Sequence, residues 1–172
     1  DDKTYGVKMF QYLTYIVNAL EHLYTNDGEL FDGKVHEQSF SFRIAFYLGQ
    51  ELEHVPNGLH IDCEYHRDKN SAKEKKYLEH YGFFRPDIIY HDRDRDNEFC
   101  IEIKKRGLIK TNHNGRVVCD KDKIDGMINE YGYKEGFCIY NLGKSSVTVW
   151  CKSYGQEETR RYIWDGEKLI EV

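Results

Sequence analysis

Arg85-Pro86-Asp87-Ile88-Ile89-Tyr90-His91 and Glu98-Phe99-Cys100-Ile101-Glu102-Ile103-Lys104 are two apolar-rich runs joined by the polar turn Asp92-Arg93-Asp94-Arg95-Asp96-Asn97. Two such runs around a short polar connection predict an antiparallel hairpin. If the hairpin is symmetric about the midpoint of Asp94 and Arg95, Asp87 faces Glu102, Ile89 faces Cys100 and His91 faces Glu98. Side chains alternate between the two faces of a strand. Ile88, Tyr90, Phe99, Ile101 and Ile103 therefore share one apolar face, expected to pack on helices. The other face gathers Asp87, Glu102 and Lys104.

The flanking sequence supplies those helices. Phe10, Leu13, Val17, Leu20 and Tyr24 form a stripe at helical spacing over about 5–25, closed by the turn Asn26-Asp27-Gly28. Phe40, Ile44, Tyr47 and Leu48 form another over about 36–51, ended by Asn57-Gly58. Leu59, Ile61 and Cys63 then alternate with His60, Asp62 and Glu64, the pattern of a half-buried strand. Residues 67–80 are polar, with Lys69, Lys73, Lys75 and Lys76, and fit a loop or a short surface helix. Ile124, Met127, Ile128 and Tyr131 predict a third helix over about 120–132. Three strands are expected near 136–141, 146–152 and 159–164. Two helices, a run of strands, a helix and more strands describe one α/β (α+β) domain over 1–172, a mixed sheet flanked by helices.

Composition narrows the function. The 172 residues carry 25 Lys+Arg and 30 Asp+Glu, a formal net charge of −5, with 40% hydrophobic and 32% charged residues. This is a core-forming chain, and its acidity argues against simple coating of nucleic acid. No run approaches the ~20 apolar residues of a membrane span. Asp1-Asp2-Lys3-Thr4 lacks the basic start and apolar run of a signal peptide, so a cytoplasmic protein is expected. Five cysteines with no Cys-x-x-Cys pair suggest reduced thiols. Cys63-x-x-His66 has no second pair to complete a zinc site. Walker, nucleophile-elbow and dinucleotide glycine motifs are absent.

The chemistry lies in the acidic face of the hairpin. Directly opposed residues have Cβ atoms about 4.5–5.5 Å apart, so Asp87 and Glu102 repel unless a proton or a cation intervenes. A Mg²⁺ ion on one or two carboxylates suits such a pair. The plain structural alternative is a Glu102–Lys104 ion pair, with Asp87 simply opening a strand after Pro86.

Pro86-Asp87, fourteen intervening residues and Glu102-Ile103-Lys104 resemble the PD-(D/E)xK signature of restriction-endonuclease-like nucleases. The helix segment Glu37-Gln38-Ser39-Phe40-Ser41-Phe42-Arg43 and the strand Asp62-Cys63-Glu64-Tyr65 are similar to those of small bacterial members. The resemblance spans residues 35–140. It implies a restriction-endonuclease-like core and Mg²⁺-dependent phosphodiester hydrolysis, with Mn²⁺ able to substitute. Asp87, Glu102 and the Ile103 carbonyl would be metal ligands and Lys104 the water-activating residue. Glu37 is the position of a further helix carboxylate ligand. It continues its helix's apolar stripe, so it is expected to face the sheet; the alternative is a carboxylate serving the helix N-terminus.

Arg43, Lys121 and Lys123 are the weaker candidates, each as a phosphate contact or as an ordinary structural or solvated cation, the structural alternative for Arg43 being a pair with Glu37. The expected partner is nucleic acid, DNA ahead of RNA, in defence against foreign DNA or in repair. Small nuclease domains that cut both strands often act as homodimers. A silent binding module of the same fold and a protein-interaction domain are the competing classes.

Overall fold

The computed structural model describes residues 10–55, 58–64, 67–68, 71–72, 85–94, 96–111, 115 and 117–172. His66, His113, Arg95, Arg116 and the lysines at 69, 73, 75 and 76 lie outside these. Helices α1 (Leu13–Asn26), α2 (Glu37–Leu52) and α3 (Asp120–Tyr131) flank a seven-stranded mixed sheet. Its strands are β1 (His60–Cys63), β2 (Ile88–His91), β3 (Asn97–Ile103), β4 (Glu135–Tyr140), β5 (Ser146–Ser153), β6 (Gln156–Trp164) and β7 (Leu169–Glu171). They lie side by side in chain order, and every neighbouring pair is antiparallel except β3–β4. α3 fills that crossover, as a parallel connection requires. Among the described residues no helix is long and apolar enough to cross a membrane. The five cysteines are free thiols.

The two faces of the hairpin divide the core. Ile88, Tyr90, Phe99, Ile101 and Ile103 are buried with the inward residues of α1 and α2. Ile89 and Cys100 are buried on the other face with Ile124, Met127 and Ile128 of α3. The helix stripes account for this packing, since Leu13, Leu20, Tyr24, Phe40, Ile44, Tyr47 and Leu48 are all buried. α1 starts later than its stripe suggests. The N–H groups of Gln11 and Tyr12 donate to the Glu135 carboxylate instead (2.6 and 3.1 Å), and residues 5–9 lie outside the described chain.

The hairpin register agrees with the symmetric pairing at Ile88–Ile101, Ile89–Cys100 and Tyr90–Phe99. It slips at His91, which faces Asn97 and not Glu98. The cause is the turn. Asp92 Oδ1 accepts the N–H groups of Asp94 and Asp96 (2.8 and 2.9 Å), with Arg93 at φ 67°, and this tight knot consumes a residue asymmetrically. The slip lies at the far end of the strands from Asp87 and Glu102, so the acidic face is unaffected. β7, a three-residue edge strand, has no counterpart in the periodicity.

α3 seats closely on β4 through Gly136. A Cβ added there would stand 2.2 Å from Ile124 Cγ2 and 3.3 Å from Ile128 Cδ1. Gly136→Ala must push α3 outward, and overpacking of this kind costs about 1–3 kcal/mol. Urea unfolding should show that loss at unchanged m-value; an unchanged midpoint would contradict the packing.

Candidate functional site

Strand alternation alone sends Glu102 and Lys104 to the α3 side, because Ile101 and Ile103 go to the other. Asp87 precedes β2 and joins them; its Oδ2 accepts the Ile103 N–H at 2.6 Å. Lys104 is fixed by its own backbone, whose N–H donates to Ile139 O (2.8 Å) beyond the last parallel pair. The Lys104 ammonium lies 3.3 Å from Glu102 Oε1 and 3.4 Å from Glu37 Oε2, and donates to the Ile103 carbonyl at 3.0 Å. Asp87, Glu102, Ile103, Lys104 and Glu37 thus come together at one end of β3.

Glu37 differs from its expected setting. It faces the site, yet its side chain is 43% exposed and not turned fully onto the sheet. Its Oε1 accepts the Lys105 backbone N–H at 3.2 Å. Being the first residue of α2, it sits at a rim where helix and strand end meet.

Lys123 and Asp120 extend the site in a way the motif does not announce. The Lys123 ammonium bonds Glu102 Oε1 at 2.5 Å and lies 3.0 Å from Asp120 Oδ1. Lys123 therefore stands inside the cluster, not on a solvated phosphate-binding rim. Glu102 is 2% and Asp120 1% exposed. Lys110 approaches Asp120 from outside at 3.6 Å. A sequence signal for this pair exists. Asp120, Lys123, Ile124 and Met127 fall at i, i+3, i+4 and i+7, so the apolar stripe of α3 continues N-terminally as a buried acid and base.

The other weak candidates sit elsewhere. Arg43 does not reach Glu37; its Nε donates to Asp27 Oδ2 (2.8 Å), which also accepts the Tyr47 hydroxyl. Asp27 adjoins α1 and lies too far along the chain for local spacing to expose it. The Lys121 ammonium sits over the Trp150 ring, 4.9 Å from its centroid. His91 is bonded to Asp62 at 2.8 Å, where Arg93 also binds.

The electrostatics follow from burial. Removal from water and the Glu102 charge push the Asp87 carboxyl up to about 7, against the opposing pull of Lys104, the Ile103 N–H and Lys123. Loss of water would lower the Lys104 pKa, but the charges of Glu102, Asp87, Asp120 and Glu37 prevail and raise it. The acids and the lysines thus hold each other in place. Glu102 Oε2 and Asp120 Oδ2 are nevertheless buried with no hydrogen-bond partner. Such oxygens can accept a cation or a donor. Among the described residues, no group of three or more His, Cys, Asp or Glu side chains is arranged to hold a metal ion. The arrangement offers paired carboxylates, two ammonium groups and unspent acceptor oxygens.

The raised Asp87 pKa makes stability pH-dependent with a definite sign. As pH rises from about 4 to 7 the unfolded chain gives up this proton while the folded chain keeps it, so stability falls; above about 7 the loss is complete. Asp87→Asn keeps an oxygen for the Ile103 N–H and removes the titration. Its melting temperature should gain on the wild type between pH 5 and pH 8 without divalent metal, by an amount equivalent to about 2 kcal/mol. A melting difference constant across that range would contradict the assignment.

Neither a family model, nor a curated protein, nor a solved structure matches this chain.

Proposed function

We propose that this chain is a divalent-metal-dependent nuclease with a restriction-endonuclease-like core, hydrolysing phosphodiester bonds of DNA in preference to RNA. One observation carries the reading. Glu102 near the end of β3 and Glu37 at the start of α2 meet at the Lys104 ammonium, and Asp87, just before β2, joins them through the Ile103 N–H. An order of helices, three antiparallel strands, a helix and a parallel strand supports the same fold assignment.

The donor set suits a hard cation. Glu102 has a buried oxygen without a hydrogen-bond partner, and Asp87 is a carboxylate whose ionisation is resisted by burial and by the Glu102 charge. Asp87, Glu102, the Ile103 carbonyl and Glu37 would hold Mg²⁺ or Mn²⁺. Once bound, the ion would supply Lewis acidity toward a phosphate oxygen and acidify a bound water. Lys104 contributes positive charge beside the scissile phosphate and orients the attacking water. Lys123 aims Glu102 through its bond to Oε1, and Asp120 holds Lys123 in turn. These are positioning roles. Defence against foreign DNA and DNA repair are both settings in which such cleavage would serve, and a homodimer would allow both strands to be cut.

A silent binding module of the same fold is the second reading. It is favoured by the two ammonium groups already engaged with Glu37 and Glu102, and by the lack of a three-ligand group among the described residues. The two readings differ in turnover. With Mg²⁺ or Mn²⁺, the purified chain should cleave single- or double-stranded DNA, and Lys104→Ala and Asp87→Ala should each lose at least about 100-fold in rate while remaining folded. Full activity in both variants, or none in the wild type on any polynucleotide, overturns the proposal.

A further inference from the structure

α2 carries more than Glu37. Gln38, Phe42 and Phe46 follow at four-residue steps and so lie along one line of the helix. Phe42 is 63% and Phe46 46% exposed, while Phe40 and Tyr47 on the inner side are buried. Successive members of this line are about 6 Å apart along the axis. Phe46 is met by Arg43 and Tyr47, whereas Phe42 has no ring or cation partner among the described residues and offers an open stacking face beside a cleft.

Phe42 walls a cleft of about 490 Å³ together with Gln38, Cys63 and Glu64. Pockets of this size take small planar ligands. Two links join the cleft to the carboxylate site. Gln38 follows Glu37 directly, and the Glu64 N–H donates to the Asp87 carbonyl at 3.0 Å. The polar wall is preset. Glu64 is held at φ 50°, a left-handed conformation unfavourable for a residue with a side chain. Its carboxylate accepts the Gln38 amide at 2.9 Å and lies 3.8 Å from Arg85.

Charge selects the occupant. Asp27 and Arg43 line the cleft as an ion pair and Glu64 lies near Arg85, so the lining holds no surplus positive charge for a phosphate and suits a neutral ring with hydrogen-bonding edges. A nucleobase has both, and its face is open for stacking only when the strand is unpaired or the base is turned out. We infer that this cleft receives an unstacked nucleobase of a single-stranded segment, with Phe42 as its platform and Gln38 and Glu64 at its edge. This deepens the nuclease reading and rests on it for the nature of the polymer. The chain would then act on strands that are single, frayed or opened next to the cut.

Fluorescence anisotropy with a labelled oligothymidylate and a duplex of equal length, in EDTA and in Mg²⁺, tests this. Base–aromatic stacking is worth about 1–3 kcal/mol, so Phe42→Ala should weaken single-strand binding about 5- to 100-fold. Duplex affinity should be unmoved, and Phe42→Trp should restore the single strand. Wild-type affinity in Phe42→Ala, equal losses on both polymers, or no single-strand binding by the wild type in either buffer overturns the inference. Phe42 is exposed, so folding is not at stake, and matched melting curves verify it. The two proposals fail separately. Phe42-dependent binding without cleavage would remove the nuclease reading alone; cleavage with no effect of Phe42→Ala would remove the cleft's role alone.

Discussion

Glu102 is a carboxylate buried between a sheet and a helix, and two lysine ammonium groups make that burial tolerable. Lys104 approaches it along the same strand and Lys123 from α3, while Asp120 returns a negative charge to Lys123. Removing one partner from a buried charge set of this kind leaves an uncompensated ion and costs about 3–5 kcal/mol. Hydrophobic residues of the same volume would stabilise the fold at least as well. Stability alone therefore does not account for the cluster, and Glu102 Oε2 and Asp120 Oδ2, buried without a hydrogen-bond partner, add to its cost.

The rest of the fold serves to present this cluster. One face of β2 and β3 is buried against α1 and α2, and the other against α3, so the strands cannot shift without exposing a core. Gly136 lets α3 come close enough for Asp120 and Lys123 to reach β3. The parallel pairing of β3 with β4 fixes the Lys104 backbone through Ile139. α2 contributes from its first turn, with Glu37 toward the lysines and the Gln38–Phe42–Phe46 line along the outside. Carboxylate site and aromatic cleft are thus held by one rigid helix.

Much of this was legible in the residues, because period-two alternation places Asp87, Glu102 and Lys104 on one face once a hairpin is assumed. Ile88–Ile101 and Ile89–Cys100 pair as symmetry requires. The helix stripes of α2 and α3 are equally local signals. What escaped depends on contacts distant in sequence or on turn detail. The Asp92 turn shifts His91 by one residue, a side-chain effect that no periodicity carries. Arg43 finds Asp27, sixteen residues upstream, in place of the phosphate contact or Glu37 pairing expected of it. Asp120 is an acid at a helix start, a common surface position; the α3 stripe places it on the inner side, and the Lys123 it shares with Glu102 ties it to the site. Net charge was the least informative quantity, since Glu102 and Asp120 are buried against lysines and a whole-chain sum does not show where charges sit.

Under the proposed function, Asp87 and Glu102 would form a cation site facing Lys104. A crystal soaked with Mn²⁺ and recorded for anomalous scattering measures it directly. A peak bonded to both carboxylates is expected, with Lys104 and Lys123 still beside Glu102. A crystal with no anomalous peak between them, and both lysines closed on the carboxylates, would contradict it.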